Sequence, residues 1–126
     1  MLLTFNKNCF LFHRFSGECI VPPRITPFQF GEEPLNFGEP ASLQCTISGG
    51  DWPIKVEWLL NDYHIPAHLE ITTSKFTRHT YALGIESVTA NHAGNYSCVA
   101  KNEAGKASYT AALVVNGVMW FKTYLL

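Results

Sequence analysis

The chain has 126 residues, of which 47% are hydrophobic, 13% aromatic and 15% charged, enough for one packed domain of about 100 residues with flanks. This composition excludes an intrinsically disordered chain, which lacks the apolar residues needed for a core. The formal net charge of −1 provides no broad attraction for polyanions, so we expect neither a nucleic-acid partner nor direct contact with an anionic membrane.

Residues 1–20 form no part of the predicted domain. Their apolar stretches are interrupted by polar residues, among them Lys7 and Arg14, whereas a secretory signal needs an unbroken apolar stretch of about 7 to 15 residues. No stretch of the chain approaches the roughly 18 apolar residues of a transmembrane helix. We interpret 1–20 as a flank outside the domain, with a poor signal segment as the alternative, and 117–126 as a second flank.

The predicted domain covers residues 21–116 and begins at a pair of prolines. The prolines at 22–23 hold the chain extended and cannot continue a helix or a central strand. We predict the first edge strand at 25–30, because Pro27 confines that strand to an edge. A continuation along the opposite sheet is predicted at 35–37.

The next predicted strand carries a cysteine in a regular alternation. Leu43, Cys45 and Ile47 share one face, while the residues between them are polar. Because residues i and i+2 of a strand point to the same side, we expect Cys45 to face a core.

A tryptophan strand is predicted at 54–60, after a loop rich in turn-forming residues. Its alternation directs Trp58 inward. A short strand is expected at 63–65, followed by two strands at 69–74 and 76–85, where threonine and isoleucine suit a pleated surface.

Two alternating segments flank a polar corner near the end of the chain. Leu83 and Ile85 alternate with less apolar residues before the corner, and Tyr96 and Cys98 alternate with Asn95, Ser97 and Val99 after it. These four residues are predicted to lie in the core. The last strand is expected at 106–116.

The order of Cys45, Trp58 and Tyr96-x-Cys98 resembles the immunoglobulin superfamily. An inter-sheet disulfide needs inward cysteines on facing strands, and an indole beside it fills the space between two sheets about 10 Å apart. The Asn-x-x-Gly turn at 102–105 is similar to that of the I-set type. The resemblance implies an all-β, two-sheet I-set sandwich with one inter-sheet disulfide, Cys45 to Cys98, and a tyrosine corner at Tyr96.

The four cysteines also indicate a compartment. A buried bridge persists in an oxidising environment, so we expect an extracellular domain. Cys9 and Cys19 are a possible second pair, but both lie in the predicted flank, and the geometric demands of a disulfide make this pairing the less favoured alternative.

Longer segments resemble the variable immunoglobulin domains of arthropod Down syndrome cell adhesion molecules, the Dscam family. The similar segments are 22–34, 57–61 and 92–100. Most immunoglobulin domains have an aspartate at the position of His92, whereas this family has a histidine there. The histidine argues against the usual arginine–aspartate bridge.

The resemblance implies a function as well as a fold. Members of this family vary the recognition surface of neuronal and immune receptors, so we expect homophilic recognition in cell adhesion, axon guidance, neurite self-avoidance and pathogen recognition. The expected partner is an identical domain on another receptor. Membrane attachment would come only from parts of a larger receptor at the cell surface.

Two surface features follow from the predicted strands. Asn95-Tyr96-Ser97 is an acceptor motif for N-glycosylation, with Asn95 facing outward. A glycan there would cover one sheet and leave the opposite sheet free for pairing. The outward residues of that free face are predicted to include Ser42, Gln44, Thr46, Glu70, Thr72, Thr80 and Ala82. The alternative is that these are ordinary solvated strand residues.

No pattern in the chain predicts catalysis, a cofactor or a metal. His64 and His68 are four residues apart, but Pro66 between them prevents the regular helix that would align them, and no cysteine or acidic cluster completes a site. Ser87 and His92 lack the motif context of a catalytic serine, so we do not expect an enzyme.

Two alternative functions remain. The alternatives to homophilic recognition are a passive spacer in a receptor or matrix protein and a heterophilic immune binder. A heterophilic binder predicts contacts on the loops at 49–53 and 101–105, whereas a spacer predicts no self-association.

Overall fold

Two four-stranded antiparallel β-sheets pack face to face in the computed structural model, which describes residues 11–12 and 19–116. In chain order the strands are β1 (Leu11–Phe12), β2 (Cys19–Ile20), β3 (Arg24–Ile25), β4 (Leu35–Asn36), β5 (Ala41–Gly49), β6 (Lys55–Leu60), β7 (Tyr63–His64), β8 (Thr72–Lys75), β9 (Thr80–Ile85), β10 (Gly94–Asn102), β11 (Gly105–Leu113) and β12 (Val115–Asn116). The order β3-β5-β9-β8 defines the first sheet, and β11-β10-β6-β7 defines the second sheet. The predicted all-β sandwich is confirmed.

The core lies between the two sheets because each strand buries alternate residues. Along β5, every second residue from Ala41 to Ile47 is buried, and the residues between them are exposed or partly buried. Leu83 is fully buried and Ile85 is 3% exposed. Burying each of these side chains contributes about 1.5–3 kcal/mol of transfer free energy. The alternation in the sequence therefore corresponds to a real division between core and surface.

A disulfide joins the two sheets at the centre of the core. Cys45 on β5 and Cys98 on β10 have an S–S distance of 2.06 Å and a Cα–Cα distance of 6.4 Å. Trp58 lies directly opposite Cys98 in the register of β6 with β10, and its side chain is 9% exposed. The predicted bridge is confirmed, and the indole fills the inter-sheet space next to it.

The first edge strand is shorter than predicted. Only Arg24–Ile25 pairs with β5, whereas the sequence predicts a strand over 25–30. Pro27 has no N–H to donate to a ladder, so the chain leaves regular pairing soon after Ile25. The aromatic side chains that follow still reach the core: Phe28 lies edge-on to Trp58, with ring centroids 5.6 Å apart.

The predicted change of sheet is present farther along the chain. Leu35–Asn36 pairs in parallel with Val115–Asn116, next to the end of the second sheet. The last predicted strand is divided, because β11 ends at Leu113 and β12 begins at Val115. Of these two strands, β12 pairs with β4 and β11 pairs with β10.

The two strands predicted at 69–74 and 76–85 both start later than expected. Ala67–Leu69 forms a short 3-10 turn that buries Leu69, and β8 begins only at Thr72. Phe76 and the three residues after it form the connection to β9. Turn geometry thus replaces extended chain at the start of each predicted strand.

The predicted flanks fall mostly outside the described residues. Within 1–20 the structure describes only β1 and β2, which pair antiparallel with each other. Residues 117–126 lie wholly outside the described part, as does Cys9 of the alternative cysteine pair. No helix among the described residues is long and apolar enough to cross a bilayer.

Candidate functional site

The outer face of the first sheet carries the residues predicted as an interface. Its strands place Ser42, Gly84 and Thr72 in one row and Gln44, Ala82 and Ser74 in the next. The central strand β9 contributes only Gly84 and Ala82 to these rows. Because these two residues have almost no side chain, the backbone of β9 forms the floor of a shallow groove between taller polar residues.

An exposed aromatic residue adjoins this groove. Pro27, Phe28 and Gln29 continue its lining, and Phe76 completes it. Phe76 is 69% exposed, and its backbone N–H donates to the carbonyl of Thr80 at 3.0 Å, which fixes the turn that carries it. A large exposed aromatic beside a concave surface is typical of an anchor in a protein interface.

The groove has no charged side chain in its lining. All of its lining residues are apolar or neutral polar: Pro27, Phe28, Gln29, Ser42, Leu43, Gln44, Thr72, Ser74, Phe76, Ala82, Leu83 and Gly84. Burying an unpaired charge in an interface is costly. A neutral groove avoids that cost, and it also avoids like-charge repulsion when two copies of the same face meet.

The structure brings together most of the predicted interface residues. Four of them line the groove, namely Ser42, Gln44, Thr72 and Ala82. Thr46 and Thr80 form the adjoining row and are partly buried. Glu70 lies apart from the others, because its φ of 55° puts it in the left-handed conformation after the 3-10 turn. This conformation breaks the strand alternation before β8 begins, so Glu70 is not part of the groove.

Sequence reasoning missed several residues of the groove, and three of them show why: Ser74, Gly84 and Phe76. Ser74 follows Thr72 by two positions, so the alternation within the predicted strand would have found it. Gly84 has no side chain to attract attention, and its role depends on its position between Ser42 and Thr72. Phe76 was predicted to begin a strand, and only the turn shows that it is exposed.

Asn95, the predicted glycosylation site, lies on the other side of the molecule. It is exposed on β10 in the second sheet, and its backbone N–H donates to Asn61 Oδ1 at 2.9 Å. The hydroxyl of Ser97, the third residue of the acceptor motif, is buried and lies 2.6 Å from the hydroxyl of Thr110. A glycan on Asn95 would therefore leave the groove of the first sheet open.

His92 connects three segments at the corner before β10. Its Nδ1 accepts the backbone N–H of Thr89 at 2.9 Å, so the neutral ring carries its proton on Nε2. That nitrogen lies 2.8 Å from the carbonyl of Leu69 and donates to it. The carbonyl of His92 in turn accepts the hydroxyl of Tyr96 at 2.6 Å. A histidine thus ties the corner to the 3-10 turn without an ion pair.

The buried hydroxyl of Tyr96 makes the domain sensitive to alkaline pH. Burial raises the pKa of Tyr96 from 10.0 to about 12, and a phenolate cannot donate to the carbonyl of His92. Because the folded protein holds this proton more tightly than the unfolded chain does, the stabilising contribution is complete below pH 10 and is lost as the pH rises toward 12.

We therefore expect the stability difference between the natural chain and Tyr96→Phe to shrink above pH 10. Urea unfolding midpoints measured from pH 8 to pH 12 would show this change. Tyr63→Phe is the matched control, because Tyr63 is 78% exposed. A difference that stays constant over the whole pH range would contradict the role assigned to the Tyr96 hydroxyl.

The loops expected for a heterophilic binder are tied together by Asn102. Its Nδ2 donates to the carbonyl of Val21 at 2.7 Å and to that of Asp51 at 2.9 Å. Its Oδ1 accepts the N–H groups of Ala104 and Gly105 at 2.9 and 3.1 Å. The loops at this end and the segment that enters the domain are held by one side chain, which restricts adaptation to varied ligands.

The histidine pair considered for a metal is spread over two elements. His64 belongs to β7 and His68 to the 3-10 turn, and both are exposed. Within 11–12 and 19–116 there is no cluster of three or more His, Cys, Asp or Glu residues with the spacing of a metal site.

Comparison with known proteins gives matches of two kinds. The family model described as the immunoglobulin I-set domain matches residues 31–115. The cell adhesion molecule Dscam1 of Drosophila melanogaster is 38% identical over 100 residues, which cover 79% of this chain and 5% of that protein. The chain therefore spans only a small part of the curated relatives that it matches.

Solved structures show the same similarity. The crystal structure of the Dscam1 Ig7 domain, isoform 5, has a TM-score of 0.71 and 43% identity, and the match covers 75% of this chain and 97% of that one. The I-band fragment I67–I69 of titin has a TM-score of 0.66 and 30% identity, and the match covers 75% of this chain and 32% of the fragment.

Proposed function

The chain belongs to the immunoglobulin I-set family, a non-enzymatic fold, and from this membership we propose that it is a recognition domain of a cell-adhesion receptor. The groove on the first sheet binds the same groove on an identical domain of another receptor. The observation that carries this proposal is the groove itself, with a floor of Gly84 and Ala82, an uncharged lining and the exposed Phe76.

The relatives support the proposal that the domain belongs to a larger cell-surface receptor. Dscam1 is named a cell adhesion molecule, and the chain corresponds to 5% of it. We propose that the chain is likewise one domain of a larger receptor, which holds it at the cell surface through parts outside this sequence. The Cys45 to Cys98 disulfide supports an extracellular location, because such bridges persist in oxidising compartments.

Pairing of two identical faces would be isologous, with each groove contacting its own image. In this arrangement Phe76 of each copy contacts the groove of the other. Stable interfaces bury a total of about 1,200–2,000 Å², and one face of a small sandwich supplies an area near the low end of that range. We therefore expect weak pairing of single domains, strengthened when several domains of a receptor bind together.

Ala82→Arg is expected to weaken self-association by at least about 100-fold, because it places two unpaired cations in one isologous interface. Sedimentation equilibrium of the natural chain and the variant measures this change. Ser108→Arg is the matched control, since Ser108 is exposed on the outer face of the second sheet. Unchanged dimerisation of Ala82→Arg would remove the groove as the homophilic surface.

A passive spacer is the second candidate function. The observation that favours it is the structural similarity to a titin fragment of consecutive domains. Bead aggregation with the domain placed in a full ectodomain separates the two functions. Aggregation between identical beads that is lost with Ala82→Arg supports recognition, and aggregation that does not depend on this domain supports the spacer.

A further inference from the structure

Three lysines lie side by side on the outer face of the second sheet. Lys101 on the central strand β10 is the register partner of Lys55 on β6 and of Lys106 on β11. All three side chains are exposed. These residues, the lysine row, cross the sheet at right angles to its strands, at the second register pair from the turn between β10 and β11.

The lysine row is unfavourable for the isolated sheet. Directly opposite residues of paired strands have Cβ atoms about 4.5–5.5 Å apart, and like charges at such positions are destabilising. Within the described residues, none of the three ammonium groups forms an ion pair or hydrogen bond. The repulsion is therefore not balanced by a carboxylate of the domain.

The acidic residues nearest in register lie outside the row. Glu57 is one row farther along β6, and Glu103 belongs to the turn beyond Lys101. With a net chain charge of −1, there is no broad positive field, and screening limits surface charges to a range of about 8–10 Å at physiological salt. A ligand of the lysine row must consequently make close contact with the ammonium groups themselves.

We propose that the lysine row binds a sulfated polysaccharide. Each lysine ammonium is a compact point charge that can bind an oxyanion in many orientations. Three of them in a line suit a linear chain with repeated sulfate groups. The domain is proposed to be extracellular, where such polymers are the polyanions at hand. Binding places anions between the like charges and offsets their repulsion.

The lysine row and the groove occupy opposite sheets, so this inference does not depend on homophilic pairing. It is also compatible with a glycan on Asn95. Asn95 is six residues from Lys101 along β10, a distance of about 20 Å. The polysaccharide, a glycan and a second copy of the domain can therefore be bound at the same time.

The test is retention of the whole chain on immobilised heparin. We expect K55Q/K101Q/K106Q to elute at a much lower NaCl concentration than the natural chain. By the counterion-release argument, the slope of log affinity against log salt should fall by about two to three for the triple variant. R24Q/K75Q/R78Q is the matched control, because it removes the same net charge at positions outside the lysine row and should retain binding.

A substitution that removes a negative charge, and so has the opposite expected effect on retention, gives a second readout. Glu57→Gln removes the carboxylate one row from Lys55 and is expected to increase retention on heparin. Far-ultraviolet circular dichroism and urea unfolding establish that each variant is folded. Equal retention of the natural chain and the lysine-row variant, or equal losses in both triple variants, would overturn the proposal.

Competition experiments identify the class of ligand. Soluble heparin should displace the bound chain at concentrations at least about ten times lower than poly-L-glutamate, because sulfate groups repeat closely along a stiff polymer. Poly-L-glutamate that competes as well as heparin would show an acidic-peptide site and would contradict the proposal.

Discussion

Replacing Cys45 and Cys98 with alanine and valine is expected to lower the free energy of unfolding by about 4 kcal/mol, the loop entropy that a bridge of this span removes from the unfolded chain. The two cysteines are 53 residues apart and fully buried. Small domains have a total stability of only about 5–15 kcal/mol. We therefore expect a large unfolded fraction at 37 °C and the loss of both proposed binding activities together.

Urea unfolding followed by tryptophan fluorescence measures this loss, because Trp58 lies beside the bridge. Ser48→Ala is the control, since Ser48 is on the same strand as Cys45 but exposed, and surface substitutions usually change stability by less than about 0.5 kcal/mol. A loss smaller than about 1 kcal/mol in the cysteine variant would mean that packing alone holds the sheets together.

His92→Leu is expected to lower the free energy of unfolding by about 2 to 4 kcal/mol, because it leaves two polar backbone groups without partners. The N–H of Thr89 and the carbonyl of Leu69 both bond to the imidazole, and the ring is 6% exposed. Leucine fills a similar space but offers neither an acceptor nor a donor. The same urea measurement applies, with His64→Leu as the exposed control.

The variant His92→Asp separates the contributions of the two hydrogen bonds, to Thr89 and to Leu69. An ionised carboxylate only accepts hydrogen bonds, so His92→Asp can bond to the N–H of Thr89 but repels the carbonyl of Leu69. We expect it to be less stable than the natural chain, although most immunoglobulin domains have aspartate there. Equal stability of His92→Asp would show that the bond to Leu69 contributes nothing.

The two recognition surfaces proposed for this domain depend on cross-strand neighbours. The groove exists because Gly84 lies between Ser42 and Thr72, and the lysine row exists because Lys101 lies between Lys55 and Lys106. In both cases a rigid core fixes the strands, so that exposed side chains can change without changing the fold. A substitution at either surface should therefore alter binding with little effect on stability.

The corner at His92 shows where prediction from sequence reached its limit. The sequence indicated that the usual arginine–aspartate bridge is absent, because residue 92 is a histidine. It did not predict the bond from the imidazole to Leu69, which lies 23 residues away in a turn. A strand was predicted at that point, and the left-handed conformation of Glu70 ends the turn there instead.

The sequence by itself determined which residues enter the core, because a strand buried on one face needs apolar residues at every second position. The two-sheet sandwich and its disulfide followed from the resemblance to the immunoglobulin superfamily. Leu43, Cys45, Trp58, Tyr96 and Cys98 could be read in this way. Only the tertiary structure decided which outward residues are neighbours. Register joins residues far apart in the chain, as with Lys55 and Lys101, and no local pattern specifies that pairing. The core was therefore predictable from local alternation, whereas the surfaces that would recognise a partner were not.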